Sequence, residues 1–245
     1  MKAAGRWLLW VLLALLGLQL AFVLRIAAMA WFDPVSTAFQ RSEAWRIHSE
    51  KDQLRWRQQW VDYERISDGL KRAVIASEDD GFANHDGVDW EAVEKAWGKN
   101  AKAEERAARQ KPASTSGKPA RAPKVIGGST ITQQLAKNLL LSGERTLLRK
   151  GQELVLTWTL ERLLSKRRIL EIYLNSVEWG EGVFGAQAAA QHYFRKNAAQ
   201  LSNYEAARLA VMLPRPKYFE KLPNSGYLAS RADVIVGRMA QAELP

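Results

Sequence analysis

Ala76 to Asp89 reads A-S-E-D-D-G-F-A-N-H-D-G-V-D. Just before it, Leu70, Ala73, Val74 and Ala76 form an apolar helix face that opens near Ser67, a residue suited to an N-cap. Asp89 is placed to cap a second helix over 90–97. Glu78 therefore falls where a helix gives way to a Gly-containing turn. A carboxylate there can face a cleft while the apolar side of its helix stays buried. Partial burial raises its pKa toward the range useful for proton transfer. The competing reading makes Glu78, Asp79 and Asp80 a solvated acidic turn.

The 245 residues suit one domain with appendages and are enough to bury a core. The absence of cysteine excludes a disulfide framework and thiol chemistry. His48, His85 and His192 are too scattered for a metal-ligand motif. A formal charge of +10 and a pI near 9.9 point to an anionic partner.

Trp7 to Leu24 is apolar apart from Gln19, and Ile26 to Phe32 extends the run past Arg25. A bilayer span needs about 20 apolar residues. Lys2 and Arg6 precede the run, so the positive-inside rule keeps the N-terminus cytoplasmic and exports the rest. Trp7, Trp10 and Trp31 suit the two membrane interfaces. Ala28-Met29-Ala30 has the form of a signal-peptide cleavage site. The apolar run, however, exceeds the roughly 7–15 residues of a signal core, which favours an uncleaved anchor. The expected division is a tail over 1–6, an anchor over 7–32, a juxtamembrane linker over 33–53 and a soluble domain over 54–245.

Within that domain, 98–124 reads as a flexible basic insert, rich in Ala, Lys, Arg, Pro and Ser. It carries eight cations against Glu104 and Glu105, a net six of the ten formal positive charges. Gly127 to Asn138, G-G-S-T-I-T-Q-Q-L-A-K-N, predicts a helix capped by Ser129 or Thr130, with Ile131, Leu135 and Leu139 on its buried face. Glycines before a helix N-terminus and Lys137 two turns on suit an anion, or an ordinary capped helix. The next helix, from Thr146 to about Leu164, is ringed by Leu147, Leu148, Val155, Leu156, Trp158 and Leu160 and reads as a buried central helix. Arg149 and Glu153, at i and i+4, either pair on an exposed first turn or project with Lys150 into a cleft. Shorter helices follow over 168–175, 186–194, 206–213 and 227–240, with Ser202 and Glu205 as a capping box. No alternating strand run stands out, so the fold class is all-α, mainly helical.

Taken together, E-D-D-G-F-A-N-H-D-G-V-D, G-G-S-T-I-T-Q-Q-L-A-K-N, R-K-G-Q-E, R-I-L-E-I-Y-L-N and G-E-G-V-F-G-A-Q-A-A-A-Q-H-Y-F resemble the ordered motifs of the family 51 glycosyltransferases, the peptidoglycan transglycosylases. The resemblance runs from about Leu54 to the C-terminus, apart from the insert. It implies the monofunctional biosynthetic form and a lysozyme-like, two-lobed helical domain at the membrane–water boundary. It implies polymerisation of lipid II with inversion and release of undecaprenyl diphosphate. Glu78 would be the general base and Glu153 the second carboxylate. Lys137, Arg149 and Lys150 would hold the diphosphate, with Gln134, Asn138 and Ser129 as further substrate contacts. His85 and Phe82 would be structural. The expected partners are lipid II, the growing glycan chain and membrane lipids, with room for other cell-wall synthesis proteins and no nucleic acid. No cofactor is required, although the diphosphate would accept Mg2+ or Mn2+. The expected location is the inner membrane, single-pass, with the catalytic domain periplasmic.

Two other readings stand beside this one. A glycan hydrolase of similar fold would share the paired carboxylates but has no need of Lys137, Arg149 and Lys150. A basic nucleic-acid or lipid binder would spread its charge over a folded aromatic face, whereas here the charge concentrates in the insert.

Overall fold

A computed structural model describes residues 2–109, 128–141, 143–144 and 146–245. In order, the helices are α1 (Lys2–Ala28), α2 (Ala38–Lys51), α3 (Asp68–Glu78), α4 (Trp90–Arg109), α5 (Ile131–Leu140), α6 (Leu147–Leu163), α7 (Lys166–Ser176), α8 (Ala186–Phe194), α9 (Asn203–Met212), α10 (Pro216–Phe219) and α11 (Gly226–Arg238). Three short strands, β1 (Arg57–Gln58), β2 (Glu178–Gly180) and β3 (Val183–Phe184), form a sheet in the order β1-β3-β2. β1 runs parallel and β2 antiparallel to β3. The domain is mainly helical, as its periodicity predicts.

The caps lie where the sequence puts them. Ser67 Oγ accepts from Leu70 N at 3.2 Å, and Asp89 Oδ1 from Ala92 N at 2.8 Å. Thr130 caps α5 and Ser202 caps α9, each in a capping box. The core gathers the inner faces of α3, α5, α7, α8, α9 and α11, with Leu70, Val74, Ile131, Leu135, Leu139 and Tyr173 fully enclosed. Gly185 enters α8 at φ +83°, and a Cβ there would stand 2.7 Å from Asn175 O, so the turn from β3 requires glycine.

Three expectations change. First, α4 continues to Arg109 rather than stopping near Trp97, so residues 98–109 of the basic stretch are helical. Ala, Lys, Glu and Arg are good helix formers, and lack of apolar bulk prevents core burial without preventing a helix. The remainder of that stretch, 110–124, lies outside the described residues. Second, 33–53 contains α2, which is packed into the domain. Gln40 Nε2 donates to Ser176 O at 3.1 Å, Lys217 Nζ pairs with Glu43, and Arg46 pairs with Glu181 at 3.3 Å.

Third, α6 is not enclosed. Leu156 and Leu160 face the core, but Leu148 is 86% exposed and Trp158 50%. A helix apolar all round is stable half-exposed where lipid takes the place of protein. α1 is one such helix by length and composition, with a mean hydropathy of 2.4 over its most apolar 18-residue window. It ends against the domain: Ile26 and Met29 are buried, and Arg168 Nε donates to Met29 O at 2.7 Å. Cleavage after Ala30 would remove these contacts, and α1 has the length and composition of a membrane anchor.

Candidate active site

Glu78 ends α3, half-buried, beside α5. Gln134 Nε2 donates to Glu78 Oε2 at 3.0 Å, and Tyr173 OH donates to Gln134 Oε1 at 3.0 Å. The tyrosine thereby fixes which end of the amide faces the carboxylate. Burial pushes the Glu78 pKa above the ordinary carboxylate value, and neighbouring Asp79 pushes the same way. The hydrogen bonds from Gln134 and Ser77 oppose them. The result is a carboxyl that binds a proton more readily than a surface glutamate, the property a general base needs.

Asp79 locks this corner. Its Oδ1 lies 2.8 Å from His85 Nε2, and its Oδ2 accepts from Ile131 N at 2.9 Å. The latter bond uses a backbone donor exposed at the start of α5. His85 Nδ1 in turn accepts from Gly87 N at 3.1 Å, and Thr130 Oγ1 donates to Gly87 O at 2.6 Å. The first motif and the glycine-rich motif are thus clamped together. His85 sits as a strut, and Phe82 is fully buried.

The first turns of α6 supply the opposite side. Arg149 Nη1 lies 2.8 Å from Glu153 Oε2, and Lys150 Nζ pairs with Glu153 Oε1. Glu153 is almost fully buried yet bound by two cations. Arg149 Nε is buried without a hydrogen-bond partner, a donor left over for something else. Pairing and projection, posed as alternatives by the sequence, occur together: the pair lines a groove of about 440 Å³. Ser129, Gln134, Lys137, Asn138, Lys150 and Glu153 also line it. Glu78 lines an adjoining pocket of about 260 Å³ with Asp79, Asp80, Lys95, Lys99 and Arg238. Ser129 borders both spaces, and Gln134 reaches from the groove to Glu78.

Seven of the eight residues named from the sequence line the groove, and Glu78 lines the adjoining pocket, with Ser129 common to both. The sequence did not reveal Phe39, Ser42 and Glu43 of α2, which also line the groove. Their signal was the Thr37-Ala-Phe-Gln40 spacing, which forms a full capping box. Asp79 as the link between motifs was likewise missed, because its partners are 6 and 52 residues away.

Among the described residues, no group of three or more His, Cys, Asp or Glu could hold a metal ion.

The family model described as Transglycosylase matches residues 46–240. The chain belongs to the transglycosylase family. Its similarity to curated members extends beyond the domain. A biosynthetic peptidoglycan transglycosylase of Burkholderia thailandensis is 52% identical over 242 residues, covering 99% of this chain and 84% of the relative. One from Herminiimonas arsenicoxydans is 48% identical over 249 residues, covering both chains fully. One from Paraburkholderia xenovorans is 48% identical over 98% of this chain and 94% of its own. As a transglycosylase, the chain has its matched domain beginning inside α2, which agrees with the packing of that helix into the cleft wall.

Proposed function

We propose that this transglycosylase polymerises lipid II into linear glycan strands, with Glu78 as general base. The carrying observation is the arrangement of a half-buried, proton-avid carboxylate one hydrogen bond from a groove rimmed by cations. Glu78 takes the proton from the 4-hydroxyl of the acceptor sugar as that oxygen attacks the anomeric carbon of the growing chain. The new C–O bond forms with inversion. The old bond to the diphosphate breaks, and undecaprenyl diphosphate leaves with the electron pair.

Lys137, Arg149 and Lys150 hold the diphosphate and neutralise the charge it gains. Such preorganised electrostatic contacts are each worth about 10²–10³ in rate. The unpartnered Arg149 Nε supports this role. Glu153 keeps Arg149 and Lys150 aimed into the groove. Gln134, Asn138 and Ser129 contact the sugars or phosphates between the two spaces. Three side-chain cations suffice for the leaving group, so Mg2+ or Mn2+ is an aid rather than a requirement. By the charge asymmetry around α1, the anchor crosses the inner membrane with the N-terminus inside and the catalytic domain in the periplasm.

The test is incubation of the purified full chain with labelled lipid II, then separation of polymer from monomer. Glycan polymer and released undecaprenyl diphosphate are expected. Unchanged monomer would remove the reading, and shortened preformed glycan without polymer would replace it with hydrolysis.

A further inference from the structure

Gln19 is the one polar residue between Trp7 and Leu24. It faces Gln152 on α6, and the two amides bond both ways. Gln19 Nε2 donates to Gln152 Oε1 at 2.8 Å, and Gln152 Nε2 donates to Gln19 Oε1 at 3.1 Å. An unpaired amide in hydrocarbon is costly, so a reciprocal pair in an otherwise apolar helix selects one partner and one register. Gln152 lies between Lys150 and Glu153, in the helical turn that carries the groove cations.

The level of the pair matters. Six residues separate Gln19 from Arg25, the first charge on the far side of the apolar run, or about 9 Å along the helix. α6 therefore meets α1 below the plane where the run ends. The outward side chains of α6 suit that depth, since Leu148, Val155 and Trp158 are apolar and exposed. A second fastening lies just past the C-terminal end of α1, where Arg168 holds Met29 O and Asp33, the latter at 2.7 Å. A helix held only at that end can pivot; one also held at Gln19 cannot.

We propose that Gln19 and Gln152 are positioning residues that lock the membrane anchor to α6 and so set the depth of Arg149 and Lys150 at the membrane boundary. The contact itself is independent of the proposed reaction. Its catalytic consequence rests on that reading, because a diphosphate attached to a prenyl chain is presented at one depth only.

The chain contains no cysteine, so site-directed thiols report on it alone. Gln19→Cys combined with Gln152→Cys, in membranes treated with a short bifunctional thiol reagent, is expected to give an intramolecular cross-link. No cross-link, with both thiols reactive singly, would overturn the contact. Leu148→Cys carrying a fluorophore, in vesicles containing brominated lipids, is expected to be quenched, and Gln19→Leu to reduce that quenching. Equal quenching with and without Gln19→Leu would overturn the depth setting.

In the same vesicles, Gln19→Leu and Gln152→Leu should each raise the KM for lipid II about three- to twentyfold, the range of a single interhelical hydrogen bond in a membrane. kcat should change little, and so should turnover of a short-prenyl analogue in detergent. Equal loss with both substrates would mark a merely structural role. Failure of the parent protein to polymerise lipid II would strike the proposed function and leave the cross-link and quenching to decide this one.

Discussion

Around Glu78 the protein withdraws water and supplies few donors, those of Gln134 and Ser77; across the cleft it sinks Arg149 but leaves Lys150 half open to solvent. The Glu78 corner is built from fully buried parts, Tyr173, Ile131 and Ala76, and is cross-tied by Asp79. Across the cleft, the Lys150 side chain is 49% exposed although its partner Glu153 is buried. Proton affinity needs desolvation, whereas binding a large anion needs cations that can reach it. On the proposed reading, exchanging the two environments would harm both tasks: a wet Glu78 would be a weaker base, and a buried Lys150 would be shut off from substrate.

The sharpest way to break this comparison is Glu78→Gln. Polymerisation should fall about 10²–10⁴-fold, the usual contribution of a positioned base, with lipid II binding retained. Because burial raises the Glu78 pKa, the folded state favours the neutral form. The variant should therefore unfold at a slightly higher temperature than the parent once pH exceeds the ordinary carboxylate range. In the parent, kcat should climb as pH rises through the raised pKa of Glu78, at higher pH than a surface glutamate would give. A rate independent of pH across that region would remove Glu78 from the base role.

In the groove itself, Lys137→Ala should cost about 10²–10³ in rate. The side chain is exposed, so the thermal transition should remain. Between the two sides, Asp79→Asn tests the tie. Loss of a charged acceptor for His85 and Ile131 N should lower stability by about 1.5–3 kcal/mol and reduce kcat through a displaced Glu78. A variant destabilised to that degree but with parental kcat would show that Asp79 holds the fold alone.

Local chemistry made much of this visible in the sequence. Ser67, Thr130 and Ser202 announce their helices by cap geometry, and Ile131, Leu135 and Leu139 announce a buried face by spacing. Glu78 was legible as the last residue of such a helix. What escaped depends on distant partners or on the solvent. α2 has no apolar stripe to betray it; it is held by Gln40, Glu43 and Arg46 through groups more than 130 residues away. α6 reads as a core helix because the sequence of an apolar surface does not say what covers it. α4 outruns its expected end because poor burial does not imply poor helicity.

Glu178 provides the smallest and most specific test, because it is a buried carboxyl beside the groove wall rather than in it. Burial, helped by Glu43, pushes its pKa up to about 7 against the pull of Lys217 and Arg46. Its Oε1 makes no hydrogen bond, and Lys217 Nζ stands 3.6 Å away while pairing with Glu43. The folded state thus keeps a proton that the unfolded chain releases near pH 4.5, and the resulting stability is full below that pH. It is lost as pH rises to about 7 and is constant above. Glu178→Gln imitates the protonated form, so parent and variant should melt together near pH 4.5 and diverge up to about pH 7. The variant should be the more stable by a few degrees, given about 2–4 °C per kcal/mol for a chain of this size. Parental turnover in that variant would place the uncharged wall behind α2 outside the chemistry, leaving Glu78 as the carboxyl whose burial is used.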